Sequence, residues 1–562
     1  MAEYRNFTVE VDTDGIALVT WDMPDKSMNV FTQEVMDEID AIIDQVVADE
    51  AVKGAVFTSG KTDSFSGGAD LTMLRGIFDT LLVVDDNSQL RPGLAAEVRP
   101  NDDFTEFTVT VRPDVTFSDG SPVDAAAVAA GLDAARRSPS LLDLLAPITA
   151  VTVDGSGADA TVRISMDEPW ASFPYQLAGP VGMVVAPAML ASEDPGRQPI
   201  GAGPYVLTSW TDGGLVLDQR QGYWREGQPV IARIELPVVT DPSVRVTRLQ
   251  QGTLDIATVL EPEQMARVRA DSSGLQVLSD PSDETAEWVM VLNTTAAPFD
   301  DKMAREAVAF SIDRDAIVTR VFAGQYRASK GPYSEGSRFY GDARWPILDI
   351  GHADDLAKQV AAAQGAPLGF TLTVGPDGTS TELGRLLQSQ FAEVGIDADL
   401  SIASSGEQLD DALANRTFDA ALVPLFDGAH PDDDADLLGF GTATGARANP
   451  SGYTSEALAE ALVDARASDD ITTQAEAYAV VQKELATQLP YLFLVHGQGL
   501  LVAGPHVQDL HQWSTPDGYP GITQVRMTVA LAELWIDRQA PTTGTVPGTT
   551  PSGSAPEGTT PG

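Results

Sequence analysis

The sequence contains no cysteine. That excludes disulfides, thiolate metal sites, a cysteine nucleophile and a lipid-modified N-terminal cysteine. Basic residues are scarce: 35 Lys and Arg stand against 82 Asp and Glu, for a formal net charge of −47. A field of that sign repels phosphate, which argues against nucleic acid and anionic membrane surfaces as partners. It favours cationic ligands only weakly at physiological salt. Histidine is rare as well. The five (His352, His430, His496, His506, His511) include no pair on one helix face, so no metal centre is expected, although His430 and His496 offer an opening if they meet. No apolar run is long enough to span a bilayer. The first residues, MAEYRNFTVEVD, carry neither the basic start nor the apolar core of a secretory signal, so the chain as written is expected in the cytoplasm. No G-x-S-x-G elbow or Walker loop occurs, which leaves hydrolase and ATPase chemistry unsupported.

What is present is enough chain for several domains: 562 residues, 43% hydrophobic. Residues 1–80 form one pattern. Phe7 to Val11 alternates, Asp14-Gly15 turns, and Ile16 to Trp21 continues as a strand, which is a hairpin signal. Val35, Met36, Ile39, Ile42, Ile43, Val46 and Val47 then recur as one face of a helix, and Gly54 to Thr58 reads as a buried strand. A small-residue loop, Ser64-Phe65-Ser66-Gly67-Gly68-Ala69-Asp70-Leu71, follows. With Pro24 to Asn29, that loop resembles the start of the crotonase (enoyl-CoA hydratase/isomerase) family. The resemblance implies that the backbone N–H of Gly67 is a remnant of an oxyanion hole for an acyl-CoA thioester. It covers only about the first third of such a domain and stops before the family's catalytic glutamates. Hydration needs a positioned acid and base. Without them an enoyl-CoA hydratase is the alternative function and no catalysis is expected.

From Leu81 a different pattern runs on. Phe104 to Val111 alternates as a strand, Ser118-Asp119-Gly120 turns, and Asp124 can cap an Ala-rich helix. Gly201-Ala202-Gly203-Pro204-Tyr205 leads into a strand, so it lacks the helix N-terminus that a phosphate loop needs. Leu292 to Arg314, LNTTAAPFDDKMAREAVAFSIDR, reads as a strand end, a Pro turn, and a helix capped by Asp300 or Asp301. Asp313 caps a second, short helix. Farther on, Phe370 to Val374, Ile396 to Leu400 and Phe418 to Val423 read as strands among helices, which suggests a sheet with helices packed on it.

The wording of these segments, in order from Leu94 to Leu494, resembles the extracellular solute-binding proteins of family 5. The matches include "N…PF-D…R-A…A-IDR" over Asn293–Arg314, a "GTGPY"-like turn at Gly201–Tyr205, Tyr223-Trp224, and Leu489-Pro490 before a strand. The resemblance implies a mixed α/β fold of two lobes joined by crossing strands. It implies a binding protein and not an enzyme, without cofactor or metal. Its function would be the capture of a peptide or related small solute for an ABC importer, whose permease and ATPase are separate subunits. A monomer outside the cytoplasm is implied, although no export signal or lipobox is visible in this chain. The divisions expected are 1–80 for the crotonase-like fragment, 81–285 and 490–538 for the first lobe, and 286–489 for the second. Trp288 to Asn293 is expected to cross between lobes. Residues 539–562, mostly Thr, Pro, Gly and Ser, are expected to be a disordered tail. The join near residue 80 reads either as a genuine fusion or as an artefact of gene delimitation.

In the family an aspartate before a proline pairs with the peptide's α-ammonium. The match here is Asp427, in Phe426-Asp427-Gly428-Ala429-His430-Pro431; the alternative is a loop-capping aspartate. Gly428 replaces the family's aromatic, which leaves peptide selectivity open. Trp288, Tyr453 and His430 are the other candidates for the cleft wall. Asp432, Asp433, Asp434 and Asp436 lack the glycine and closing glutamate of a calcium loop, so a solvated acidic loop is expected.

Overall fold

The computed structural model describes residues 71–537 apart from 139–140, 143, 193–194, 212, 272–273, 280–286, 427–429, 441–447, 511–512 and 522–529; before residue 71 it describes 4–11, 16–21, 38, 41–42 and 54–59. Gly67, Asp427 and the tail from 538 lie outside the described residues.

At the N-terminus the expected hairpin forms, with Phe7–Val11 antiparallel to Ile16–Trp21. Gly54–Ser59 adds parallel to the second strand. Phe7 stacks on Trp21 at 5.7 Å, and Val9, Val19 and Ile42 complete a small separate core.

The first lobe contains an antiparallel sheet in the order Ala95–Pro100, Glu106–Val111, Thr161–Met166, Ile148–Asp154. The helix Ala125–Ala135 packs on it, and Asp124 caps that helix by accepting from Ala127 N at 2.9 Å. A second sheet joins Tyr205–Thr211, Gly214–Gln219 and Arg233–Pro237.

The helix Leu71–Ile77 ends inside this lobe, although residues up to 80 are read above as part of the preceding fragment. Ile77 and Phe78 pack with Tyr205, Leu217 and Leu501. Asp79 accepts from Tyr223 Oη at 2.9 Å and from Trp224 Nε1 at 2.6 Å, and burial raises its pKa. The glycines of GAGPY are explained by close approach. A Cβ on Gly201 would lie 2.2 Å from the Ile77 carbonyl oxygen, and Gly203 N donates to that oxygen at 2.8 Å.

The second lobe is a six-stranded mixed sheet: Arg327–Ala328, Tyr491–His496, Glu287–Leu292, Ala420–Leu425, Gly369–Val374, Asp397–Ile402. Its central strands are buried on both faces, and successive side chains serve different cores. Met290, Leu292, Leu492 and Leu494 meet the helices Lys302–Phe310, Ile350–Gln364 and Gly378–Glu393. Val289, Val291, Tyr491 and Phe493 meet Glu456–Arg466 and Ile471–Gln488 on the other side.

This placement corrects two expectations. Glu287–Leu292 is not a crossing strand, and Tyr491–His496 does not return the chain to the first lobe; both lie inside the second sheet. The return comes after His496, where Leu500–Ala503 enters the first lobe between Ile256–Val259 and Gln276–Ser279.

The "N…R-A…IDR" wording has a structural reason. Asn293 donates to the carbonyls of Arg416 (3.1 Å) and Phe418 (3.0 Å) and accepts from Thr295 N (3.1 Å). Arg305 reaches Gln488 O and Phe299 O, both at 2.7 Å. Arg314 donates to Phe493 O at 2.7 Å, and its burial lowers its pKa to about 10. Asp301 caps the first helix by accepting from Met303 N, and Asp313 caps the second by accepting from Ala316 N.

The contact at Ile77 gives a test. Gly201→Ala forces a Cβ into backbone that cannot swing aside, and is expected to destabilise the first lobe by about 2 kcal/mol or more, read as a lower urea midpoint. An unchanged midpoint would mean that Ile77 is not packed there.

Candidate ligand-binding site

The two lobes meet along a polar seam. Its second-lobe side begins with Pro431–Leu438, a tight 3₁₀ helix closed by Gly439 in the left-handed conformation. His430 and Asp433 cap it reciprocally. His430 Nδ1 accepts from Asp432 N at 3.2 Å, and Asp433 Oδ2 accepts from His430 N at 3.1 Å. Three aspartates in the first turn complement the exposed N–H groups there.

The first-lobe side is the turn Trp170–Gln176. Trp170 is anchored in its own lobe against Phe173, 5.2 Å between rings, and Phe173 against Phe107. From that footing Trp170 Nε1 donates to Asp432 Oδ2, and Ser172 Oγ donates to the same oxygen at 2.7 Å. The other oxygen, Oδ1, accepts from Arg466 Nε at 2.6 Å. The Arg466 guanidinium lies over the Trp170 and Phe440 rings at 4.7 and 4.5 Å, and reaches Glu168 at 3.4 Å. Ala171 N donates to Arg466 O at 2.7 Å, and Gln176 donates to Asp433.

The acidic run is therefore not a solvated loop. Asp432 and Asp434 are each 3% exposed. Both oxygens of Asp432 are taken by protein donors, and Arg466 compensates its charge. A buried carboxylate is tolerated on those terms.

Of the residues nominated from the sequence, His430 is at the seam. Its ring stacks on Tyr175 of the first lobe at 5.1 Å and takes Phe339 edge-on at 5.0 Å. Burial lowers its pKa, and the Arg338 charge adds to the lowering, while Asp432 and Asp433 oppose it. The buried imidazole is therefore neutral, and because Nδ1 accepts from a backbone N–H, Nε2 carries the proton. Asp427 follows Phe426, whose backbone is left-handed (φ 54°) and whose ring packs on Tyr491 and Phe493.

Trp288 lies elsewhere, against Phe322 at 5.9 Å, on the sheet face opposite the His430 cluster. Tyr453 donates to Glu484 at 2.6 Å and packs near the end of the sheet where Asn293 sits. His496 is not paired with His430. Its Nδ1 lies against the buried Glu287 carboxyl, and burial, with Arg327 nearby, lowers its pKa to about 4.

Sequence reasoning missed Trp170, Ser172, Tyr175, Arg338 and Arg466. The run of aspartates was the available signal, but the Trp170–Asp432 contact spans 262 positions and leaves no local trace.

Three comparisons bear on the family and the fold. The family described as bacterial extracellular solute-binding proteins, family 5 (middle), matches residues 89–448. The match begins after the N-terminal fragment and lends no support to its crotonase resemblance. The glutathione-binding protein GsiB of Pectobacterium atrosepticum is 25% identical over 454 residues, covering 78% of this chain and 87% of that protein. GsiB of Salmonella paratyphi A is 29% identical over 353 residues, 62% of this chain and 67% of its own. Among solved structures, NikA from Brucella suis in complex with Fe(III)-EDTA superposes with a TM-score of 0.69 at 21% identity, over 85% of this chain and 97% of its own. The PBP AgaA from A. tumefaciens R10, in complex with agropinic acid, gives 0.68 at 21%, over 84% and 94%. These structural likenesses establish the two-lobed fold.

Two predictions test the seam. Asp432→Ala strands Arg466 and the Trp170 N–H and is expected to cost about 3–5 kcal/mol, with a larger radius of gyration by small-angle scattering. Asp432→Leu with Arg466→Met removes both charges and is expected to cost far less. For His430 the sign follows from its lowered pKa. The unfolded imidazole binds a proton near pH 6.5, while the folded one resists it. The ring's contribution is therefore full above about pH 6.5 and is lost as pH falls below that value. His430→Gln should flatten this part of the stability–pH curve between pH 7.5 and 5.5, and an unchanged slope would exclude it.

Proposed function

The chain belongs to the bacterial extracellular solute-binding proteins of family 5, and we propose that the solute it captures between its lobes is peptide-like. It is a binding component of an ABC importer and not an enzyme. The family is extracytoplasmic and works with separate permease and ATPase components. For this chain, action as a monomer at that location is part of the proposal.

The observation that carries the reading is the seam. Trp170, Ser172 and Tyr175 of the first lobe meet His430, Asp432 and Arg466 of the second in a buried, hydrogen-bonded contact. A solute held between the lobes is enclosed when that contact forms, and it favours closure by its higher affinity for the closed state. The glutathione-binding relatives support a peptide-like solute. Asp427 is the proposed counter-charge for its ammonium, on the Asp-to-Pro spacing. The N-terminal hairpin and its parallel third strand are proposed as a crotonase-like fragment without catalysis.

Thermal shift tests both parts. Glutathione or a short peptide at 100 times its Kd should add about 2.7 kcal/mol and raise the melting temperature, and an enoyl-CoA should leave it unchanged. A rise only with nickel–histidine, or hydration of the enoyl-CoA, would overturn the reading.

A further inference from the structure

The chain passes between the lobes twice, from Gln276–Ser279 to Glu287–Leu292 and from Tyr491–His496 to Leu500–Ala503. The second-lobe end of both passages is one row of the sheet, where Glu287 stands opposite His496 and His496 opposite Arg327. Glu287 is 1% exposed and His496 6%. His496 Nδ1 lies against Glu287 Oε1. A carboxyl group and an imidazole are thus buried together at the point where both passages leave the second lobe.

The row is set apart from the ladder behind it. The pairing of Glu287–Leu292 with Tyr491–His496 slips between Trp288 and Val289, so that Leu494 is passed over. Such a bulge re-aims side chains and interrupts the ladder locally. Beyond His496 the sheet has only Arg327–Ala328, a strand of two residues. When lobes turn on one another, residues at the ends of elements absorb the change in backbone angles. The contact between Glu287 and His496 therefore belongs to the arrangement of the lobes seen here.

Charges reach the row from several elements. Arg327 bears on His496 from the edge strand and Glu335 from the segment that follows, with opposite effects on its proton affinity. Glu335 is engaged by Lys330 at 3.1 Å. From the first lobe, Arg269 reaches Gln498 at 3.5 Å. On its other side Glu287 faces Leu425, which carries no charge. An imidazole that donates from Nδ1 to a carboxylate keeps Nε2 as the place for a second proton. Burial, with Arg327 adding to it, holds that proton off until about pH 4, whereas an unburied imidazole accepts it near 6.5.

We propose that Glu287 and His496 form an acid-released latch: buried together they hold the row in the closed arrangement, and a proton taken up by the pair hydrates the row and lets the lobes turn apart, releasing the solute. Between pH 6.5 and 4 the hydrated imidazole binds a proton that the buried one excludes, so acid favours the open form. Closure is fully supported above pH 6.5 and loses support as pH falls. The proposal rests on the reading that the lobes close round a solute, and not on which solute it is.

Small-angle scattering of the full chain without solute, from pH 7.5 to 4.5, tests it. The radius of gyration should grow as pH falls, with the open-to-closed ratio rising by up to about tenfold per pH unit for one linked proton. His430 titrates in the same window, so the readout is the difference between the wild type and His496→Asn. The Asn amide can donate where Nδ1 does and cannot take a second proton, so this variant should open less steeply. In the wild type the Cε1–H resonance of His496, assigned by substituting the other histidines one at a time, should shift over the range in which the radius grows. A constant radius, equal slopes in the two proteins, or a ring that stays neutral while the radius grows would each overturn the latch. If circular dichroism shows His496→Asn unfolded, the ring titration decides alone. The melting shift with glutathione or a short peptide is measured separately at pH 7.5, so a failed latch leaves the solute reading standing.

Discussion

The Asp432 carboxylate is the constraint on which the arrangement of the lobes depends. A charge that is 3% exposed needs a counter-charge and a full set of donors. Arg466 supplies the counter-charge from its own lobe, and Trp170 and Ser172 supply donors from the other. Asp432 is therefore satisfied in this way only when the lobes are together. The surrounding features follow from that need. Trp170 is clamped by Phe173 so that its N–H has a fixed direction, and the 3₁₀ helix carrying Asp432 is capped at both ends.

The sheet of the second lobe gives this contact a rigid base. Its central strands are buried on both faces, so neither can shift by one residue without exchanging its two cores. Glu287–Leu292 is held by Ala420–Leu425 on one side and Tyr491–His496 on the other. Asn293, Arg305 and Arg314 tie its edges by donating to backbone carbonyls, which satisfies buried acceptors without adding a second charge.

Local features were legible in the sequence and distant ones were not. The caps at Asp124, Asp301 and Asp313 are set by residues two or three positions away, and each forms as read. The family wording pointed to the two-lobed α/β fold. The return strand was misplaced because Tyr491–His496 is buried at every position and gives no alternation to show which sheet it serves. The acidic run was misread for a related reason. Composition says that four aspartates in five positions belong in water, and only the fold brings Arg466 and Trp170 to them. The Leu74–Thr80 segment was assigned to the wrong neighbour because its partners, Tyr205, Tyr223 and Trp224, follow more than 120 positions later.

A polar seam also suits a protein that must open again. An apolar seam of similar size would gain roughly 25 cal/mol for each Å² buried and would expose a sticky surface whenever the lobes parted. Asp432 and Arg466 behave differently. When the lobes part, the pair stays together on the second lobe and water takes the place of Trp170 and Ser172 as donors to Asp432; when they meet, those protein donors replace water, an exchange worth little net. The seam can then fix the geometry of closure while adding little to its net free energy. In that balance the differential affinity of the solute for the closed form decides the population, and moving it from 1:99 to 99:1 takes about 5.5 kcal/mol.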